Sequence, residues 1–133
     1  MQRIIAIARR LRSDERGFAS SAIIAPTIFL VLFAALQFAL WYQATNVAQN
    51  AAVAAYNDAR AYESTSGAGH YSARQVLQQS GGFLQGSGVD VNRNGDTVTV
   101  DVTGQAVSMI PGVQLPPVHR TITGPVERWV PAP

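Results

Sequence analysis

The chain has 133 residues, 47 % of them apolar, with ten arginines, eight acids and neither cysteine nor lysine. That length supports one small domain, and the lack of cysteine excludes disulfides, thiol chemistry and Cys-based zinc sites. The +2 net charge is uneven: residues 1–16 hold Arg3, Arg9, Arg10, Arg12 and Arg16 against Asp14 and Glu15, giving +3, and the remaining five arginines against six acids give −1. The basic charge is therefore a tail and not a folded face, which argues against a nucleic-acid partner.

After that tail the charge stops. From Gly17 through Asn57 there is no Asp, Glu, Lys or Arg. Within this gap "AIIAPTIFLVLFAALQFALW", Ala22 to Trp41, extends about 30 Å as a helix, which matches the hydrocarbon thickness of a bilayer. The run predicts one transmembrane span. Trp41 and Tyr42 close it with rings that favour the headgroup layer, an interfacial anchor. Arginines directly before the span keep the N-terminus in the cytoplasm and send the C-terminus outside. Two alternatives are weaker. A core helix of a soluble protein normally shows a polar face, and the apolar region of a signal peptide runs only about 7–15 residues before a small-x-small site. "ATNVAQNAA" does offer small residues of that kind.

Beyond Trp41 the helix is predicted to continue, because "QATNVAQNAAVAAYNDARAY" has neither Gly nor Pro and is rich in Ala. Gln43, Asn46, Asn50 and Asn57 form one stripe; Ala44, Ala48, Ala51 and Ala55 form another, a packing stripe for a neighbouring helix or for the chain's own folded part. Pro26 removes a backbone donor early in the helix and predicts a kink. "ESTSGAGH" ends the helix. A short second helix follows, with Ser72 and Gln75 spaced as a capping box.

From Gly88 the period changes to two. "VDVNRNGDTVTVDVT" alternates valines around Asn94-Gly95, a hairpin signal with one buried face. "QAVSM", "VHRTIT" and "VERWV" are further candidate strands, so the expected architecture is α+β: a long helix, a short helix and a small antiparallel sheet whose valines pack on the long helix. The predicted organisation is a basic leader (1–17), a transmembrane and extended helix (18–62), a linker with the short helix (63–87) and the β region (88–133). The hairpin also mimics a calcium loop, with Asp90, Asn92, Asn94, Gly95 and Asp101 at matching positions. The alternating valines argue for strands instead. His70 and His119 have no metal-ligand spacing, and there is no nucleophile elbow or phosphate loop, so no catalytic residue, metal or cofactor is expected. Glu127, Arg128 and Trp129 read as a contact patch or an ordinary edge strand.

A basic leader, a glycine and then a hydrophobic helix resemble a type IV prepilin or pseudopilin. "DERGFASSAIIAPTIFLVLFAALQFALWYQATNVAQNAAVAAYNDARAY" is similar to the TadE-like family of the tight-adherence (Flp, type IVc) pilus system. "SMIPGV" and "GPVERWVP" are similar to its actinobacterial branch. The resemblance implies a minor pilin or pseudopilin acting in pilus priming, tip formation or adhesion. It implies cleavage by a membrane prepilin peptidase between Gly17 and Phe18, and assembly with other pilin or pseudopilin subunits by platform proteins and an ATPase. Ala22 stands at the fifth mature position, where pilins carry Glu, and points to a minor subunit. The competing expectation is a single-pass, membrane-anchored binding module that never enters a filament.

Overall fold

The computed structural model describes the backbone of residues 2–132 and the side chains of residues 20–132. It falls into two units, Met1–Leu36 and Gln37–Pro133. The first unit is helix throughout its described length, as part of α1 (Gln2–Arg60). The leader backbone is thus helical and runs into the apolar segment without a break at Gly17. Pro26 lies inside this helix. Its neighbours satisfy their hydroxyls locally: Ser21 donates to the Gly17 carbonyl at 3.0 Å and Thr27 to that of Ile23 at 2.8 Å. Such back-bonding hides a hydroxyl on an otherwise apolar helix.

The second unit contains the rest of α1, then α2 (Ser66–Gln79), β1 (Leu84–Arg93), β2 (Thr97–Ala106) and β3 (Val118–Pro125). The strands form one antiparallel sheet in the order β1-β2-β3. Val91 pairs with Val100 and Val100 with Ile122, so the alternating valines share one face. Val98, Val100 and Val102 are fully buried there. They form a single core with Ala44, Val47, Ala48, Ala51, Ala52, Ala55 and Ala59 of α1. Spacings of three and four put those residues on one helix face, and their small side chains let the sheet approach closely. The opposite sheet face is polar, carrying Thr99, Asp101, Thr121 and Thr123.

Several boundaries differ from the sequence expectation for physical reasons. Helix α1 stops at Arg60, and α2 begins at Ser66, capped by the Thr65 hydroxyl, which accepts from Ala68 N–H. Gly67 and Gly69 therefore lie inside a helix and do not break one. Gly69 is required by proximity, because a methyl group there would stand 2.8 Å from the Ala55 carbonyl oxygen. Ser72, read as a helix cap, instead hydrogen-bonds to Asp58. The hairpin closes with Asn94 N–H donating to Thr97 O at 2.8 Å, placing Gly95 and Asp96 at the turn. None of these residues has a positive φ, so the mirror-image turn favoured by Asn-Gly is not used. Asp96 is held from outside: its carbonyl accepts from Val126 N–H at 3.0 Å and its carboxylate pairs with Arg128.

"VERWV" is not a strand. Its Glu127 N–H donates to the last carbonyl of α1, Arg60 O, at 2.8 Å, while Arg60 binds the Glu127 carboxylate at 2.6 Å. This segment satisfies a helix end, which otherwise leaves carbonyls unpaired. "QAVSM" contributes only its first two residues to β2, and the sheet begins at Leu84.

Candidate membrane and assembly site

In the first unit, large apolar side chains point outward all around the helix. Ile23, Ile24, Ile28, Phe29, Leu30, Val31, Leu32, Phe33 and Leu36 are all exposed. A helix that is apolar on every side needs a protein core or a lipid around it. Only 6 % of the most apolar stretch is buried within the chain, so the chain supplies no such core. By length and composition this helix is compatible with a single membrane crossing.

Gly17 is exposed and helical, with open space where a side chain would project. Glycine is the weakest helix former after proline, costing about 1 kcal/mol relative to Ala, so this peptide is a soft point in an otherwise strong helix. The side chains of Arg3, Arg9, Arg10, Arg12, Arg16 and Phe18 lie outside the described residues.

The far end of the apolar run is a built junction. Gln37, nearly the sole polar residue in that run, is buried at 6 % exposure. Its amide donates to Ser108 Oγ at 2.7 Å and accepts from Met109 N–H at 3.0 Å. One turn on, the Trp41 indole N–H donates to Pro116 O at 3.1 Å. The connection between β2 and β3 is thereby fastened to α1 at two points. Trp41 is half-buried against the head, whereas Tyr42 is exposed. Phe38 tilts against Trp41 with ring centroids 6.1 Å apart. Sequence reasoning missed Gln37; a lone amide within an apolar stretch was the available signal, since a buried amide must find partners.

Ala44, Ala48, Ala51 and Ala55 are each 0 % exposed. The stripe packs on this chain's own sheet, which settles the two alternatives in favour of the chain's own folded part. Gln43, Asn50 and Asn57 face solvent and Asn46 is half-buried.

Residues 21–55 match the family model of the TadE-like proteins. The long helix is TadE-like. The TadE-like match begins four residues after Gly17 and ends within α1, so it covers the apolar run, the Gln37–Trp41 junction and the alanine stripe, and leaves the sheet outside. No curated protein and no solved structure matches the chain.

Away from the TadE-like helix, polar side chains gather on the outer sheet face. The Asp101 carboxylate accepts from the Thr121 hydroxyl and contacts His119 Nε2 at 3.1 Å. The Thr121 hydrogen bond, followed by that of His119, holds the Asp101 carboxyl below the usual aspartate range. Arg60 is shifted upward, first by its hydrogen bond to Glu127. The calcium-like spacing is laid out along strands, with Asp90 on β1 opposite Asp101 on β2. Among the described residues no three His, Asp or Glu side chains gather as a metal site.

Proposed function

We propose that this chain is a minor pilin or pseudopilin of a Tad (Flp, type IVc) pilus. It would insert with its basic leader in the cytoplasm and its head outside. A membrane prepilin peptidase would cut after Gly17, making Phe18 the new N-terminus. Platform proteins and an ATPase would then lift the helix toward other pilin or pseudopilin subunits, for priming, tip formation or adhesion. The observation that carries this reading is the TadE-like match on a helix left bare by its own chain through Leu36. A bare apolar helix is stable in lipid, and on leaving lipid it needs the apolar surface of other subunits.

The leader arginines give the cut its physical purpose. Moving an Arg through the bilayer centre costs at least about 2.5–3.5 kcal/mol on insertion scales, so five of them oppose extraction. The softness of the helix at Gly17 favours the local unwinding that a protease needs. Replacing Gly17 by Leu strengthens the helix by roughly 0.5–1 kcal/mol and adds bulk at the scissile bond. Gly17→Leu should leave expression and membrane insertion intact, abolish the shorter form and reduce surface pili. Identical migration of wild type and variant at full length, with pili unaffected, would overturn the pilin reading.

One observation favours the alternative, a membrane-anchored binding module outside any filament. The alanine stripe is consumed by the chain's own sheet, so above Gln37 it offers no small-residue surface to a neighbour. Filament packing would have to rest on the helix below Gln37. The alternative predicts an N-terminus that stays intact.

A further inference from the structure

The head is polarised along its length, and the polarity is aligned with the junction at Gln37. At one end lie the α1 terminus and the hairpin turn, where Arg60 pairs with Glu127, Asp96 with Arg128, and Arg93 reaches the Ala61 carbonyl. At the other end the charges vanish. Residues 75–89 and 102–118 contain no Asp, Glu, Lys or Arg, and the register brings these segments together: Leu84 pairs with Ala106, Gln85 with Gln105 and Val118 with Gly104. This uncharged end is the one tied to α1 through Gln37 and Trp41.

Its tip is a defined turn. Val113 N–H donates to Ile110 O at 3.2 Å, with Pro111 and Gly112 between them and Gly112 at φ 79°. That is a type II turn, which needs a positive φ at its third residue and therefore glycine. Around it large apolar groups lie open: Phe38 is 64 % exposed, Met109 56 % and Val113 44 %. The turn is held firmly, since Ser108 Oγ accepts from Ile110 N–H and the Gln105 amide donates to Leu115 O at 2.5 Å.

The helix fixes the level at which this turn sits. From Arg16, the last charge of the leader, to Gln37 α1 rises about 31 Å, the hydrocarbon thickness of a bilayer. With the leader charge at the cytoplasmic boundary, Gln37 reaches the outer boundary, together with the turn clamped to it. We propose that the turn Ile110–Val113, with Met109 and Phe38, inserts into the outer leaflet's interface and seats the uncharged end of the head on the lipid surface. This rests on the membrane-spanning reading of α1. The occupant is the acyl–headgroup boundary of the bilayer. Because the seat lacks charge, attraction to anionic headgroups plays no part.

The chain's lack of cysteine makes a direct test simple. Single cysteines replacing Met109, Leu30 and Asn94 in the full chain are labelled with an environment-sensitive fluorophore, and each protein is reconstituted in phosphatidylcholine vesicles. Emission is compared with and without lipids brominated near the headgroup or deep in the acyl chain. The Met109→Cys label should shift to the blue and be quenched most by the shallow bromolipids, in high and low salt alike. The Leu30→Cys label should be quenched most by the deep ones, and the Asn94→Cys label by neither. A Met109→Cys label that behaves like the Asn94→Cys label, while Leu30→Cys is quenched, would overturn the seat and leave the span standing. Loss of quenching at Leu30→Cys too would overturn both. A blue shift at Met109→Cys that is blind to bromolipid and fades on dilution into excess lipid would mean that a second copy covers the patch, again against the proposal. Val113→Cys repeats the test from the other side of the turn.

Discussion

The crossing of α2 over α1 offers a sharp test of the packing, because two glycines two residues apart sit in opposite environments. A methyl group added at Gly69 would meet the Ala55 carbonyl oxygen at 2.8 Å, Ala59 Cβ at 3.0 Å and Val91 Cγ1 at 3.2 Å. These are backbone and core atoms that cannot swing away. Added at Gly67, it would meet only Thr65 Oγ1 at 3.5 Å, an ordinary contact. Alanine gains roughly 0.5–1 kcal/mol over glycine in a helix, less in the first turn, while overpacking costs about 1–3 kcal/mol. Gly67→Ala should therefore be neutral or stabilising by up to about 0.5 kcal/mol, and Gly69→Ala destabilising by about 1–1.5 kcal/mol after its helix gain is subtracted. The two variants should differ by about 2 kcal/mol, which in a domain of this size is on the order of 10 °C in Tm. Thermal unfolding of the full chain in detergent micelles, followed by circular dichroism, reads the difference. Equal midpoints, or a Gly69→Ala protein more stable than Gly67→Ala, would refute the close approach of the helices.

Acid should weaken the head through Asp101, whose folded pKa lies below the usual 3.8. The stabilisation is present above that value and lost as pH falls through the folded pKa, so Asp101→Asn should flatten the decline in Tm between about pH 5 and about pH 3; parallel curves for the two proteins would remove Asp101 from the account. The effect should be modest, because the pair is exposed. Calcium should leave the Tm of the full chain unchanged, since Asp90 and Asp101 are strand partners and Asn94 closes the turn; a dose-dependent rise would establish an ion site. A reporter fused after Pro133 should be active only outside the cytoplasm, and cytoplasmic activity would reverse the topology.

The parts of this fold that follow from periodicity were legible in the sequence. A charge-free apolar run announces a helix bare on all sides, and Val98, Val100 and Val102 announce a strand with one buried face, as found. What was not legible depends on contacts made across the chain. Gly67 and Gly69 look like breakers locally, and only the proximity of Ala55, Ala59 and Val91 shows that Gly69 sits in a helix because a side chain would not fit. The segment Val126–Arg128 has the alternation of a strand, but the open end of α1 and the Asp96 turn bind it first. The alanine stripe could have faced a neighbour or the chain itself, and composition alone does not distinguish them. Gln37 carried the clearest unused signal, since a single amide in an apolar helix requires a partner that sequence cannot locate seventy residues away.

The claim at the centre of this account is that the basic leader is a removable part of the chain and Gly17 the place where it ends. Intact-mass analysis of the protein extracted from its native membrane tests this without any substitution. The account predicts a principal species that begins at Phe18 and lacks all five leader arginines. A principal species that retains residues 1–17 after assembly would contradict it and favour the anchored binding module.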